Sequence, residues 1–132
     1  MEVNGKGRLV VRVYTSRAEL PIVDATVVVT QRNQDGKYKL LSVQATNSSG
    51  MTQPITIPTP LLGESTHPGA QLPPFAICDV WAEHPSYAML LVEGVQIFQG
   101  VETLQSMELT PLSEGQSSLI QSDIREITGQ SL

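Results

Sequence analysis

A chain of 132 residues and 14.3 kDa is the size of a single domain. Charged residues make up only 16% of it and hydrophobic residues 40%, and much of the polarity comes from 11 Gln, 11 Thr and 12 Ser; such a composition suits neither a disordered acidic tail nor a membrane-inserted chain. The net charge of −5 divides into +3 over residues 1–39 (seven cations, four acids) and −8 over residues 40–132 (one cation, nine acids), so the chain lacks the clustered basic footprint that nucleic acid requires.

In chain order, Leu9, Val11 and Val13 alternate with Val10, Arg12 and Tyr14, the period of a strand with one buried face. Residues 26–30 are almost all β-branched. Asn33-Gln34-Asp35-Gly36 follows as turn chemistry, and residues 37–45 then complete a hairpin. Asn47-Ser48-Ser49-Gly50 is the next turn, before an extended stretch over 51–57. Residues 58–74 hold five of the nine prolines and no periodic pattern, which predicts a long surface loop. Further extended runs at 75–83, 88–92, 95–98 and 102–111 are punctuated by His84-Pro85, Gly94 and Gly100. Seven or eight short strands at this spacing predict an all-β sandwich. Its core is expected to include Leu9, Val11, Val13, Val27, Val29, Cys78, Val80, Ala82, Met107 and Leu109.

Helical signals appear only at the end. Ser118 and Gln121 fit a capping box, Ile120, Ile124 and Ile127 recur at helical spacing, and Gly129 stands at the C-terminal cap position. The expectation is a sandwich over residues 1–112 and a tail over 113–132, with a short amphipathic helix at 119–128. The lone cysteine, Cys78, excludes an intramolecular disulfide and a Cys-rich zinc site. Because Met1-Glu2-Val3-Asn4-Gly5-Lys6 opens onto no apolar leader, the reading is of no signal peptide and a cytoplasmic or spore-associated chain.

Several segments carry a family resemblance. Gly7-Arg8-Leu9-Val10-Val11-Arg12-Val13, then Leu20-Pro21-Ile22-Val23-Asp24-Ala25-Thr26-Val27-Val28-Val29, resembles the opening of carboxypeptidase-regulatory-like domains, which are transthyretin-like (prealbumin-like, Ig-like) sandwiches. Thr46-Asn47-Ser48-Ser49-Gly50 is similar to that family's "T-D-x-x-G" turn, and Val80-Trp81-Ala82-Glu83-His84-Pro85-Ser86-Tyr87 to its "V-x-A-x-G-Y", with Ser86 where glycine is usual. Val95-Gln96-Ile97-Phe98-Gln99-Gly100 with Leu109-Thr110-Pro111-Leu112 resembles the version in clostridial spore-cortex-lytic and peptidoglycan-binding proteins. The resemblance implies a spacer or docking module.

Chemistry is sparse in this sequence. Cys78 and His84 are the one nucleophile–base pair to weigh, and alternation turns Cys78 inward, where a thiol is a small hydrophobe. The fold's enzyme relative, 5-hydroxyisourate hydrolase, carries an N-terminal histidine and a Tyr-Arg-Gly-Ser ending. Here no histidine precedes His67 and the chain ends Gly129-Gln130-Ser131-Leu132. Glu64, His67, Asp79, Glu83 and His84 are the available metal-ligating types, without a ligand-dense loop; Asp79 and Glu83 read as a solvated acidic strand face. The sequence therefore predicts no catalytic residues, no metal, no cofactor and no enzyme.

What remains points to contacts. Trp81 falls on the outward face between two acids, where it is either covered by a neighbouring long side chain or the terminal tail, or is an interface anchor or a platform for a sugar ring. Leu61 and Leu62 are adjacent leucines in the proline-rich loop, and Leu119, Ile120, Ile124 and Ile127 form an apolar stripe. These seven are the candidate interface. The expected function is a non-catalytic structural or interaction module, spore or cell-envelope associated, with a protein, peptidoglycan or carbohydrate partner. The alternative is a subunit of a homo-oligomeric assembly (filament, spore coat or phage particle) joined by tail or loop exchange. Nucleic acid and membrane insertion are excluded as partners.

Overall fold

The structure is a computed structural model that describes residues 5–32, 36–60 and 75–113, and the backbone of 122–126. Eight strands are seen: β1 (Gly5–Thr15), β2 (Thr26–Arg32), β3 (Tyr38–Ala45), β4 (Ile55–Thr59), β5 (Ala76–His84), β6 (Tyr87–Ile97), β7 (Glu102–Leu109) and β8 (Ser122–Glu126). They form two sheets, in the orders β4-β1-β7 and β3-β2-β5-β6-β8. The β1–β7 and β6–β8 pairs are parallel and the other pairs antiparallel. No helix occurs among the described residues, and so none long and apolar enough to cross a membrane.

Strand alternation builds the core directly. One sheet contributes Leu9, Val11, Val13, Ile57, Met107 and Leu109; the other contributes Val27, Val29, Cys78, Val80, Ala82, Leu90, Val92, Val95 and Ile97. All ten residues expected inside from the alternation are buried. Branched and aliphatic side chains fill one face of each pleated strand because a sandwich buries only the facing surfaces of its sheets.

Side-chain hydrogen bonds tie the connections to the strands. Thr46 donates its hydroxyl to the Ile22 carbonyl at 2.6 Å and accepts the Ala25 N–H at 3.0 Å. In the following turn the Asn47 side-chain oxygen accepts the N–H groups of Ser49 and Met51 at 2.8 and 3.0 Å. Gly50 closes that turn at φ +75, and a Cβ there would lie 2.4 Å from the Val13 carbonyl oxygen. The turn read from Asn47-Ser48-Ser49-Gly50 is thus real, and only glycine fits its last position.

Three expectations are corrected. Residues 122–126 form β8 where a helix over 119–128 was expected; residues 119–121 and 127–128 lie outside the described residues. A helix of that length has little to hold it in water, whereas the open edge of β6 offers unpaired backbone groups, and Ser122 to Glu126 pair with Met89 to Glu93. The loop expected from residue 58 starts later, since Pro58 and Thr59 belong to β4. That strand is a sheet edge, where the missing N–H of proline leaves no gap in the ladder. Finally, Gly94 does not separate two strands. Cys78 pairs with Val95 and Val80 with Val92, so Glu93 and Gly94 both oppose Asp79 as a bulge inside one long β6.

Candidate functional site

The outer face of the five-stranded sheet departs most from what a solvated sheet face should be. Antiparallel sheets with one buried face normally carry polar residues on the other. Here register carries an apolar row across every strand. Val43 of β3 pairs with Val28 of β2, Val28 with Trp81 of β5, Trp81 with Leu91 of β6, and Leu91 with Ile124 of β8. Val28, Trp81 and Leu91 are half-buried by their neighbours, while Val43 is 58% exposed. Tyr38 and Leu40, also on β3, are 59% and 61% exposed. The sequence singled out Trp81 and Ile124 separately; the structure places them in one row, two strands apart. Val28, Val43 and Leu91 were missed, because a cross-strand row depends on which strands are neighbours.

Beside this row lies the charged feature of the face. Arg32 Nε and Nη2 donate to Asp79 Oδ2 and Oδ1 at 3.1 and 2.9 Å, and the Gly94 N–H donates to Asp79 Oδ1 at 3.0 Å. The bulge at Glu93 and Gly94 turns that N–H toward the carboxylate. The hydrogen bonds from Arg32 to Asp79 hold the guanidinium pKa above its ordinary value, against the opposing effect of its own burial. The Asp79 side chain is only 5% exposed. The expected solvated acid is thus a buried, paired one, with Arg32 lying over it from β2.

The other sequence candidates distribute as follows. Cys78 is sealed in the core, and desolvation, then the neighbouring charge of Asp79, pushes its thiol up to about 12; a thiol in that state is not a nucleophile at neutral pH. His84 accepts the Ser86 N–H at Nδ1 (3.1 Å) and packs edge-on against Tyr87, with 5.3 Å between ring centres. Among the described residues no group of three or more His, Cys, Asp or Glu is arranged to hold a metal. Leu61, Leu62, Glu64, His67, Leu119, Ile120 and Ile127 lie outside the described residues. On the other sheet, a depression of about 470 Å³ is bordered by Lys6, Arg8, Thr56 and Glu102, all exposed. Its mixed charge and the exposure of its polar groups give it no directed chemistry.

No family model matches the chain, and no curated protein matches it. Solved structures do. An intradiol ring-cleavage dioxygenase from Tetranychus urticae superposes with a TM-score of 0.53 at 12% identity, over 85% of this chain and 84% of that one. Sea bream transthyretin, solved in complex with thyroxine, gives 0.47 at 15% identity over 80% and 88%. GBS52, the minor pilin of Streptococcus agalactiae, gives 0.47 at 13% identity, over 86% of this chain but 48% of the pilin. The expectation that the chain is no enzyme is corrected by the first of these: a ring-cleaving dioxygenase is built on this fold, so the fold gives no ground for excluding catalysis. At 12% identity the likeness extends to the fold and not to the activity. What the chain has in common with the dioxygenase is the fold, an all-β sandwich of two sheets.

Proposed function

We propose that this sandwich is a structural and interaction module that engages protein through the outer face of its five-stranded sheet. The apolar row through Val43, Val28, Trp81 and Leu91 carries the reading. A contiguous apolar surface on the solvent side of a sheet has a driving force for association of about 25 cal/mol per Å² that becomes covered. The setting of Trp81 supports protein over peptidoglycan or carbohydrate. Its cross-strand neighbours are Val28 and Leu91, and of the two acids flanking it on β5 one, Asp79, is already engaged by Arg32, so apolar side chains are what it meets across the sheet. A spore or cell-envelope setting is the finer version of this reading and draws on the sequence resemblance alone.

The test substitutes threonine at Val28, Val43 and Leu91 together, keeping β-branched or strand-compatible side chains while removing the apolar row. Tagged and expressed in its own host, the natural chain should run in a complex well above 14.3 kDa. The folded triple variant should fall to monomer mass. A natural chain that runs as a monomer, or a variant complex of unchanged size, overturns the proposal.

A further inference from the structure

Resting on that reading, we infer that the face is extended by a second copy of this chain: the β8 edge of one sandwich pairs with the β3 edge of the next, joining five-stranded sheets into one. Strands β3 and β8 are the two outer strands of the sheet. Strand β3 is eight residues long, and its Tyr38, Leu40 and Val43 are each more than half exposed. An edge of that length and polarity is one that monomeric proteins blunt. Here a bulge at Leu41, between the Ser42 and Leu40 pairs, is the mid-strand irregularity, and the other protection sits at the ends. Lys37 and Lys39 flank one end, and at the other the Gln44 side chain accepts the Gln53 N–H at 2.8 Å. The run Leu40-Leu41-Ser42-Val43 between them carries no charge.

Strand direction selects how a copy fits. From β3 to β6 each neighbouring pair is antiparallel, and β8 is parallel to β6. Three reversals followed by none make β8 run opposite to β3. A copy displaced sideways in the plane of the sheet therefore brings β8 against β3 in antiparallel pairing, the more stable arrangement per residue, with the same face outward. The apolar row then continues from the Ile124 position of one copy to Val43 of the next.

Charge selects the same partner edge. Residues 36–45 hold Lys37 and Lys39 and no acid, whereas residues 122–126 hold Asp123 and Glu126 against Arg125. Joining unlike edges sets a basic strand beside an acidic one. Joining like edges offers no such neighbour of opposite sign between strands, since β3 brings only lysines and a β8 pair doubles a net negative charge. The unlike contact leaves one edge of each kind free at the ends, so it propagates into a filament or closes into a ring, where a like contact stops at two copies.

The buried Cys78 makes a clean test, because cysteines introduced at the edges are then the reactive ones in the native protein. Full-length Val43→Cys and Ile124→Cys proteins are mixed and oxidised. Disulfides between unlike variants should exceed those between like variants by about tenfold, and the mass of the natural purified chain should rise with concentration beyond that of a dimer. Predominant like–like cross-links, or a mass that stops at two copies, would replace the seam by a symmetric one and overturn the inference. A purified chain that stays monomeric overturns it as well, yet leaves the interaction-module reading standing if the complex in the host persists. As a second variant, Leu40→Lys with Val43→Lys alters two exposed positions only. It should hold the chain at monomer mass with its melting temperature within a few degrees; an unchanged mass profile also overturns the inference.

Discussion

Arg32 and Asp79 come from strands that neighbour each other in the sheet but lie far apart in the chain, and they meet through two parallel hydrogen bonds of 3.1 and 2.9 Å. The fork geometry matches guanidinium to carboxylate, and the Gly94 N–H adds a third donor. Arg32→Ala should destabilise the protein by about 2 kcal/mol, below the cost of breaking a fully buried pair because the Arg32 side chain is 34% exposed. Asp79→Ala should cost a similar amount, and the double variant scarcely more than either single one. Chemical denaturation reads all three; additive single effects would mean that the two residues do not act together.

Cys78 gives stability a pH dependence of defined sign. The folded thiol lies near 12 against an ordinary value of 9.0. Above pH 9 the unfolded chain therefore loses its thiol proton while the native chain keeps it. The native state binds more protons, so this contribution to stability is fully present below about pH 9 and is lost as pH rises through the window to 12. Denaturation midpoints of the natural chain should fall more steeply over that window than those of Cys78→Ala. Identical slopes, or rapid labelling of Cys78 without denaturant, would show that the thiol is not sealed.

Two glycines at similar φ should respond differently to alanine. Gly50 and Gly100 sit at +75 and +74, but a Cβ at Gly50 meets the Val13 carbonyl oxygen at 2.4 Å, whereas nothing lies within 4 Å of one at Gly100. Left-handed strain alone costs about 1–2 kcal/mol. Gly100→Ala should cost that much. Gly50→Ala should cost at least about 1 kcal/mol more, since the backbone must also shift and the 2.7 Å hydrogen bond from the Val13 N–H to the Gly50 carbonyl is disturbed. Equal losses would mean that the close approach is relieved freely.

Strand β8 shields the β6 edge. A chain ending at Ser113 should keep its fold, because β6 remains paired with β5 along its length. Alternate amides between Met89 and Glu93, those directed at β8, should exchange at least about tenfold faster. Unchanged protection there would show that β8 does not cover this edge in solution.

The core was legible in the sequence because its information is local. Leu9, Val11 and Val13 announce their burial by alternation, as do Val27 with Val29 and Cys78 with Val80 and Ala82, whatever strands lie beside them. The tail was misread for the converse reason. The spacing of Ile120, Ile124 and Ile127 is a helical pattern, but the hydrogen-bonding partner that favours a strand at 122–126 is the β6 edge, about thirty residues earlier in the chain. Asp79 looked solvated because the sequence does not say that Thr30 pairs with it, which brings Arg32 within reach. Alternation puts Trp81 on the outward face, while the row it belongs to follows from a strand order that no local pattern encodes.

The parallel pairing of β1 with β7 runs through eight residue pairs, from Arg8 with Glu102 to Thr15 with Leu109. Tension applied ahead of Gly5 and beyond Leu109 would draw these strands past each other lengthwise. All their cross-strand bonds would then share the load at once. The β2–β3 hairpin, gripped at Thr26 and Ala45, would instead open one rung at a time. Single-molecule stretching should therefore find one abrupt, high-force rupture for the first geometry and a gradual, low-force opening for the second. Held by its first and seventh strands, the sandwich resists a lengthwise pull with all eight residue pairs together.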